Sequence, residues 1–376
     1  LGFNFLVNGE IKSDSTEILS IPTEYRLDSL AIFFLLAILL SQILIAFLYR
    51  FDLFKALNRD NRQLFYSVWL LNIFGVVGIF VTNNIFNLFV FIEIYCLTFC
   101  AIITMSDDLA ISKSAFKYFC NSTSGAILML LSLIIIYASC EFLQIDKIDN
   151  SLFGSSLVSW LVVIAVILKF FPINLYFNIL KSRDRLSTIL LSFVLVTNGV
   201  IGFYLLLRIL LLLFDGDEIF FWSAPIVGFA LVLYSNYKMF RTKYLKVFAL
   251  YFLLTNLGFV LITLLVSRSS FASLLYIINY VLSGIVLFCV AKYLANNQKS
   301  FQIKLSKHNF SWQNKIIILV IIITISNLPL TLIFWANWHL ALLSFDARIS
   351  SLLIALPIIS TNLVLAKFQL SCFKRM

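Results

Sequence analysis

The chain has 376 residues, of which 61% are hydrophobic and only 12% charged, with a mean hydropathy of +1.00. A soluble domain carries about twice that share of charge, and runs such as Leu161–Leu168 and Ile316–Ile325 cannot be solvated. A soluble globular protein is excluded, and the net charge of +10 does not point to nucleic acid, because the basic residues fall in short loops between apolar stretches.

Residues 1–28 are polar and mixed in charge and read as an external N-terminal segment without the pattern of a cleavable signal peptide. The sequence opens on Leu1, from which residues upstream or an unusual start are expected. Eleven apolar stretches follow, at 29–49, 65–83, 85–105, 119–139, 155–180, 187–213, 219–237, 247–267, 270–291, 316–338 and 349–366. Each approaches the roughly 20 residues a helix needs to cross a hydrocarbon core about 30 Å thick. The expected fold is therefore an all-α polytopic membrane protein of about 11 transmembrane helices.

The loops sort by charge. One alternate set carries 21 basic residues against five acids, while the other carries five basic residues against twelve acids. The positive-inside rule places the first set in the cytoplasm, or in the matrix of an organelle, with the N-terminus outside and the C-terminus inside. A missed helix would scramble that alternation. The expected divisions are the external segment 1–28, a first membrane helix and inner loop at 29–64, five-helix repeats at 65–213 and 219–366, and an inner tail at 367–376. Because five is odd, the two repeats enter the membrane from opposite sides. The fourth helix of each carries a proline, Pro172 and Pro329. Proline removes a backbone donor, which a bilayer tolerates only beside protein or a hydrated cavity. Two inverted repeats, each with a broken helix, form a transporter-type pattern.

Two charges lie deep in these spans, and they are opposite in sign: Glu93 and Lys169. Each costs several kcal/mol at membrane depth, roughly 3, so each needs a reason to be there. Glu93 lies eight residues into its span, about 12 Å at 1.5 Å per residue. Lys169 stands three residues before Pro172, and helix tilt plus the lysine stem can close the difference in depth. Burial favours the neutral form of each group and pairing favours the charged form, so a lysine held between these tendencies can exchange a proton when its partner moves. A static ion pair locking two helices is the plainer alternative, and both remain open at this point.

The other polar positions carry plainer readings. Arg208, near the outer end of its span, reads as a snorkelling side chain satisfied by the acidic 215–218 turn or by headgroups. Asn198, Asn256, Asn279 and Asn337 read as interhelical hydrogen-bonding amides, with Asn198, Asn256 and Asn337 also candidates to line a polar path. An amide cannot carry a transferable proton as lysine or histidine can. Trp335 and Trp338 read as an interface belt. The six cysteines show no CxxC pair, and the two histidines, His308 and His339, lie outside the apolar spans, so neither a metal site nor a haem is expected. A composition rich in Phe, Ile, Leu, Asn and Lys suggests an AT-rich genome, bacterial-symbiont or organellar, hence a bacterial or mitochondrial inner membrane.

Several segments then resemble one family in order along the chain. Tyr25–Phe34 (YRLDSLAIFF) resembles an "LDxLSxFF" helix entry, and Asn84–Glu93 (NIFNLFVFIE) a "DLFNLFVFxE" segment. Ala115–Phe119 is similar to "AxKYF", Tyr204–Arg208 to "YxxxR", and Thr255–Phe259 to "SxxGF". Lys169 before Pro172 resembles a lysine before a helix break. From about residue 25 to 345 the chain thus resembles the antiporter-like membrane subunits of respiratory complex I (NADH:quinone oxidoreductase) and of Mrp-type cation/proton antiporters, as a divergent member.

The resemblance implies two inverted five-helix bundles with broken helices. It makes Lys169 the protonatable lysine of the first half-channel and Glu93 the carboxylate that modulates it. It implies other membrane subunits of complex I or an Mrp-type assembly, and lipid, as partners, and no cofactor bound to the chain itself. The chain would be at most a membrane subunit of a proton-translocating NADH:quinone oxidoreductase, since no NADH, flavin or iron–sulfur ligand set is visible. The departures are specific: Asn198, Asn256 and Asn337 stand where the family usually carries lysine, histidine, and lysine or glutamate. Asn174 stands where a histidine is usual, and helices before the first span and after the last are missing from the pattern. Two functions follow as expectations: proton or cation translocation through Glu93 and Lys169, or a non-conducting structural subunit that has lost most of the relay.

Overall fold

The computed structural model describes residues 25–56, 59–105, 108–140, 143–145, 156–171, 175, 196–206, 208, 218–242, 245–267, 274–284, 331–346 and 351–373, with short strand segments at 11–12, 16–18 and 21–23. Among these are eleven helical segments: α1 (Ser29–Ala56), α2 (Arg59–Val81), α3 (Ile85–Thr104), α4 (Leu109–Cys140), α5 (Ser156–Phe170), α6 (Val196–Leu206), α7 (Glu218–Arg241), α8 (Leu245–Ser267), α9 (Leu274–Gly284), α10 (Leu332–Asp346) and α11 (Ser351–Phe373). Each overlaps one of the predicted spans. Four described stretches are long and apolar enough to cross a bilayer, Ser29–Phe47, Arg62–Val81, Ile85–Thr104 and Leu109–Ser139, and the other apolar helices are described over shorter lengths.

Several helix ends differ from the hydropathy boundaries, among them long extensions. α1 runs on to Ala56 rather than ending at 49, α4 starts at Leu109 rather than 119, and α10 continues to Asp346 rather than ending at 338. Hydropathy finds the part of a helix in hydrocarbon, whereas caps decide where the helix stops. At α4 the cap is Asp108, whose Oδ1 accepts from the Ala110 N–H at 2.8 Å, satisfying an otherwise orphan donor of the first turn.

The chain divides into two compact units, Leu1–Phe220 and Phe221–Met376. In the first, short strands β1 (Ile11–Lys12) and β4 (Arg26–Leu27) pair antiparallel, as do β2 (Thr16–Ile18) and β3 (Ile21–Thr23). The carboxylate of Asp28 then caps α1, accepting from the Ala31 N–H at 2.7 Å. The connection between α2 and α3 is held on two sides: Thr82 bridges to Tyr25 and Asn84 to Gln144. Backbone bonds Ile85 N–H to Leu143 O (2.9 Å) and Ile145 N–H to Asn83 O (2.8 Å) complete that clamp. Asn84 caps α3 by accepting from the Phe86 N–H at 2.8 Å. Along α2 and α3, Asn72 donates to Thr98 Oγ1 at 2.9 Å and to the Tyr95 carbonyl at 3.2 Å, an amide tie within apolar packing.

In the second unit, α7 and α8 approach closely at Gly228 and Gly258. A Cβ at Gly228 would sit 2.7 Å from the Gly258 carbonyl, so any larger residue would force the backbones apart. Asn236 of α7 donates to Ser360 of α11 at 2.8 Å, and Lys367 of α11 donates to the Phe240 carbonyl at 2.9 Å.

Candidate ion-translocation site

The two deep charges meet. Lys169 Nζ on α5 donates to Glu93 Oε1 on α3 at 2.5 Å, joining residues 76 apart in sequence. Glu93 sits on the third helical turn after the clamped Asn84 cap, which fixes its height. Lys169 is the penultimate residue of α5, where a cation also faces the negative end of the helix dipole. The pair is asymmetric: the Lys169 side chain is 0% exposed and that of Glu93 29%. Pairing at depth was expected; the half-open carboxylate was not. On α3, Val90 and Leu97 are exposed and Glu93 lies one turn from each, whereas Ile92, Tyr95, Cys96 and Phe99 fill the interior.

How the lysine reaches across is decided by a residue that sequence reading passed over. A Cβ at Gly125 of α4 would lie 3.1 Å from Lys169 Cγ and 3.1 Å from the Ala165 carbonyl. The lysine stem therefore runs over the bare backbone of Gly125, in the groove between α4 and α5. A glycine amid an apolar run was the available signal, but its meaning depended on which helix packs there. Cys96 is buried in this core and Cys100 is partly so, the latter with its thiol 3.5 Å from the Ala115 carbonyl.

Asn198 on α6 is fully buried, and its Oδ1 accepts a hydrogen bond from the Tyr95 hydroxyl, which also reaches Thr197 Oγ1 at 3.2 Å. Tyr95 lies two residues beyond Glu93, and its ring stacks on Phe170, the neighbour of Lys169, with centroids 5.9 Å apart. Tyr95 was missed because a tyrosine on an apolar helix looks like ordinary core.

Asn256 and Asn337 belong to the second unit. Asn256 Nδ2 donates to the Phe252 carbonyl and its Oδ1 accepts from Asn279 Nδ2, both at 3.0 Å. Asn337 Oδ1 accepts from the Tyr276 hydroxyl at 2.5 Å. Both amides line one small cavity together with Thr255, Phe259, Tyr276 and Thr361, with room for roughly one water. Pro172 and Pro329, together with Asn174, lie outside the described residues; α5 ends at Phe170 and α10 begins at Leu332.

Arg208 departs from its expected role. It is only 7% exposed and does not snorkel; its guanidinium pairs with Asp28 Oδ2 at 3.6 Å and donates to the Tyr204 hydroxyl. Asp28 thus uses one oxygen to cap α1 and the other to hold Arg208, just beyond the end of α6. The "LD" and "YxxxR" motifs, far apart in sequence, are the two halves of one contact.

A family profile described as NADH:quinone oxidoreductase/Mrp antiporter, transmembrane, matches residues 82–363, a stretch that holds Glu93, Lys169, Asn198, Asn256 and Asn337. The chain belongs to this NADH:quinone oxidoreductase/Mrp antiporter family. Among relatives of the family, NADH-quinone oxidoreductase subunit N of Buchnera aphidicola (subsp. Schizaphis graminum) is 25% identical over 300 residues, covering 74% of this chain. The chain spans only 61% of the length of that relative. Similar solved folds include a chain of the Mrp complex from Dietzia, with TM-score 0.79 and 16% identity over 97% of this chain and 42% of that one. A chain of respiratory complex I from Thermus thermophilus gives TM-score 0.73 and 15% identity, over 98% of this chain and 78% of that one. As a member of the NADH:quinone oxidoreductase/Mrp antiporter family the chain is an integral membrane protein of the antiporter-like subunit type, and its apolar helices are consistent with a bacterial or mitochondrial inner membrane.

Proposed function

We propose that the chain works as an antiporter-like subunit of a multisubunit respiratory or cation/proton antiporter membrane complex and contributes to proton or cation translocation through Glu93 and Lys169. The observation that carries this reading is the ion pair itself. The Lys169 ammonium is fully buried and the Glu93 carboxylate that holds it is partly open, so the pair's compensation depends on Glu93 staying in place. A partner group or a change of helix packing that drew Glu93 away would leave a charge unpaired at membrane depth, which is the event this reading couples to ion movement. Broken helices at Pro172 and Pro329, inverted five-helix repeats at 65–213 and 219–366, and an outer N-terminus belong to the same proposal, supported by the loop charges and the positions of the prolines. The other membrane subunits of complex I or of an Mrp-type assembly are its proposed partners.

The test is ion movement in vesicles reconstituted with the whole complex containing Lys169→Ala. Loss of transport in a fully assembled complex is expected; unchanged transport would remove any direct role for the pair. A second reading, a non-conducting structural subunit, is favoured by one observation: Asn198, Asn256 and Asn337 are neutral and already engaged in hydrogen bonds. Under it, Lys169→Ala would impair assembly rather than turnover, and an assembled but inactive complex would exclude it.

A further inference from the structure

We propose that α3 and α6 enclose an internal water site at Asn198, and that the Tyr95 hydroxyl passes protons through it. This rests on the translocation reading above but assigns residues that reading does not use.

The first observation is an orphan. Asn198 is 0% exposed, and among the described residues no acceptor meets its Nδ2, although its Oδ1 is bonded to Tyr95. Turning the amide over would leave the oxygen orphaned instead, so one end of this amide lacks a protein partner in either orientation. Leaving a buried amide group unmet costs about 1–3 kcal/mol, a penalty a single ordered water removes.

The second observation is independent. The Lys169 ammonium has three donors and no exposure, yet among the described residues it meets one acceptor, Glu93 Oε1. Its remaining donors call for further oxygen atoms, and water is the neutral group small enough to supply them. The two unmet needs belong to one packing cluster, since Phe170 follows Lys169 in the chain and stacks on Tyr95.

The chemistry then falls to the hydroxyls. An asparagine cannot relay a proton, but Tyr95 and Thr197 each carry an O–H that donates one proton while a lone pair accepts another. A proton arriving on Tyr95 Oη from a water releases the original hydroxyl proton to Thr197 Oγ1, 3.2 Å away, and Thr197 passes its own proton to the next water. Both hydroxyls end unchanged and one proton has crossed the seam. Asn198 is the positioning residue that holds the tyrosine and the water in place.

The test compares wild type, Tyr95→Phe and Thr197→Val in the reconstituted complex, with Lys169→Ala alongside. Tyr95→Phe keeps the ring, and with it the stack on Phe170, while removing the hydroxyl. It is expected to assemble, to lose about tenfold or more in proton flux, and to respond differently to D2O, a change that altered packing alone would not produce. Wild-type flux and wild-type D2O response in Tyr95→Phe would overturn the proposal. If Lys169→Ala transports normally, the translocation reading fails on its own. In that case, or if Tyr95→Phe does not assemble, a high-resolution map of the wild-type complex decides. A water within hydrogen-bond distance of the Asn198 side chain supports the site, and a dry seam overturns it.

Discussion

The two units of this chain handle buried polarity in opposite ways. In Leu1–Phe220 the polar centre is an ion pair, with a fully buried Lys169 against a half-open Glu93, and a second charged contact joins Asp28, the cap of α1, to Arg208 just beyond α6. Among the described residues of Phe221–Met376 a buried polar centre is neutral: Asn279 bonds to Asn256 and Tyr276 to Asn337, and Asn256, Tyr276 and Asn337 line a cavity the size of a water. A buried charge whose partner is partly open loses its compensation when that partner moves. Neutral amide pairs hold no charge that a movement could strand, and each bond within them is worth only about 0.6–1 kcal/mol in a bilayer. On the proposed translocation reading, the difference would place the ion chemistry in the first unit and leave packing, or at most water, to the second.

The largest expected effect breaks that contrast outright. Lys169→Met should abolish transport by the assembled complex in vesicles, since Glu93 then has no partner to release. The double variant Glu93→Gln/Lys169→Met should assemble better than Lys169→Met alone, because the single change leaves the partly exposed Glu93 carboxylate unpaired at membrane depth, whereas the double change removes both charges. Assembly yield on native gels reads this.

Next is the second charged contact. Arg208→Met should destabilise the complex by about 2 kcal/mol, less than the roughly 3–5 for breaking a fully buried pair, because Asp28 is 25% exposed. Thermal unfolding in detergent measures it, with transport per assembled complex retained. Gly125→Ala sharpens the contrast within the first unit. Alanine favours a helix by about 1 kcal/mol over glycine, yet its Cβ would press on the Lys169 stem at 3.1 Å. Transport should fall roughly tenfold while helix content holds. Equal transport in Gly125→Ala and wild type would show that the stem has room to move. The smallest effect belongs to the second unit: Asn337→Leu should cost about 1 kcal/mol of stability and leave transport within twofold. A large loss of transport there would erase the distinction between the two units.

Much of the fold was legible from hydropathy and loop charge, because the bilayer forces long apolar runs into helices and leaves few other options. Each of the eleven predicted spans overlaps a described helix. The errors sit at helix ends, where Asp108 and similar caps, not hydropathy, set the boundary. Glu93 and Lys169 were legible because charge at membrane depth is costly enough to stand out. Arg208 was misread because its partner, Asp28, lies some 180 residues earlier in the chain, beyond the reach of any local pattern. Tyr95 and Gly125 were overlooked for the opposite reason: each is unremarkable in type, and only the helix packed against it gives it a task.

The sequence by itself determined that this is a polytopic helical membrane protein, which way its loops sort by charge, and which two residues carry an energetic anomaly. Those properties depend on composition and order along the chain. Only the tertiary structure decided that the two anomalous charges meet, that Glu93 stays partly open while Lys169 is sealed, that a bare glycine lets the lysine stem pass, and that a tyrosine two residues beyond Glu93 holds Asn198. The reason is physical: the cost of burying a polar group is set by residue type, but its compensation comes from side chains tens to hundreds of residues away, and only packing chooses which.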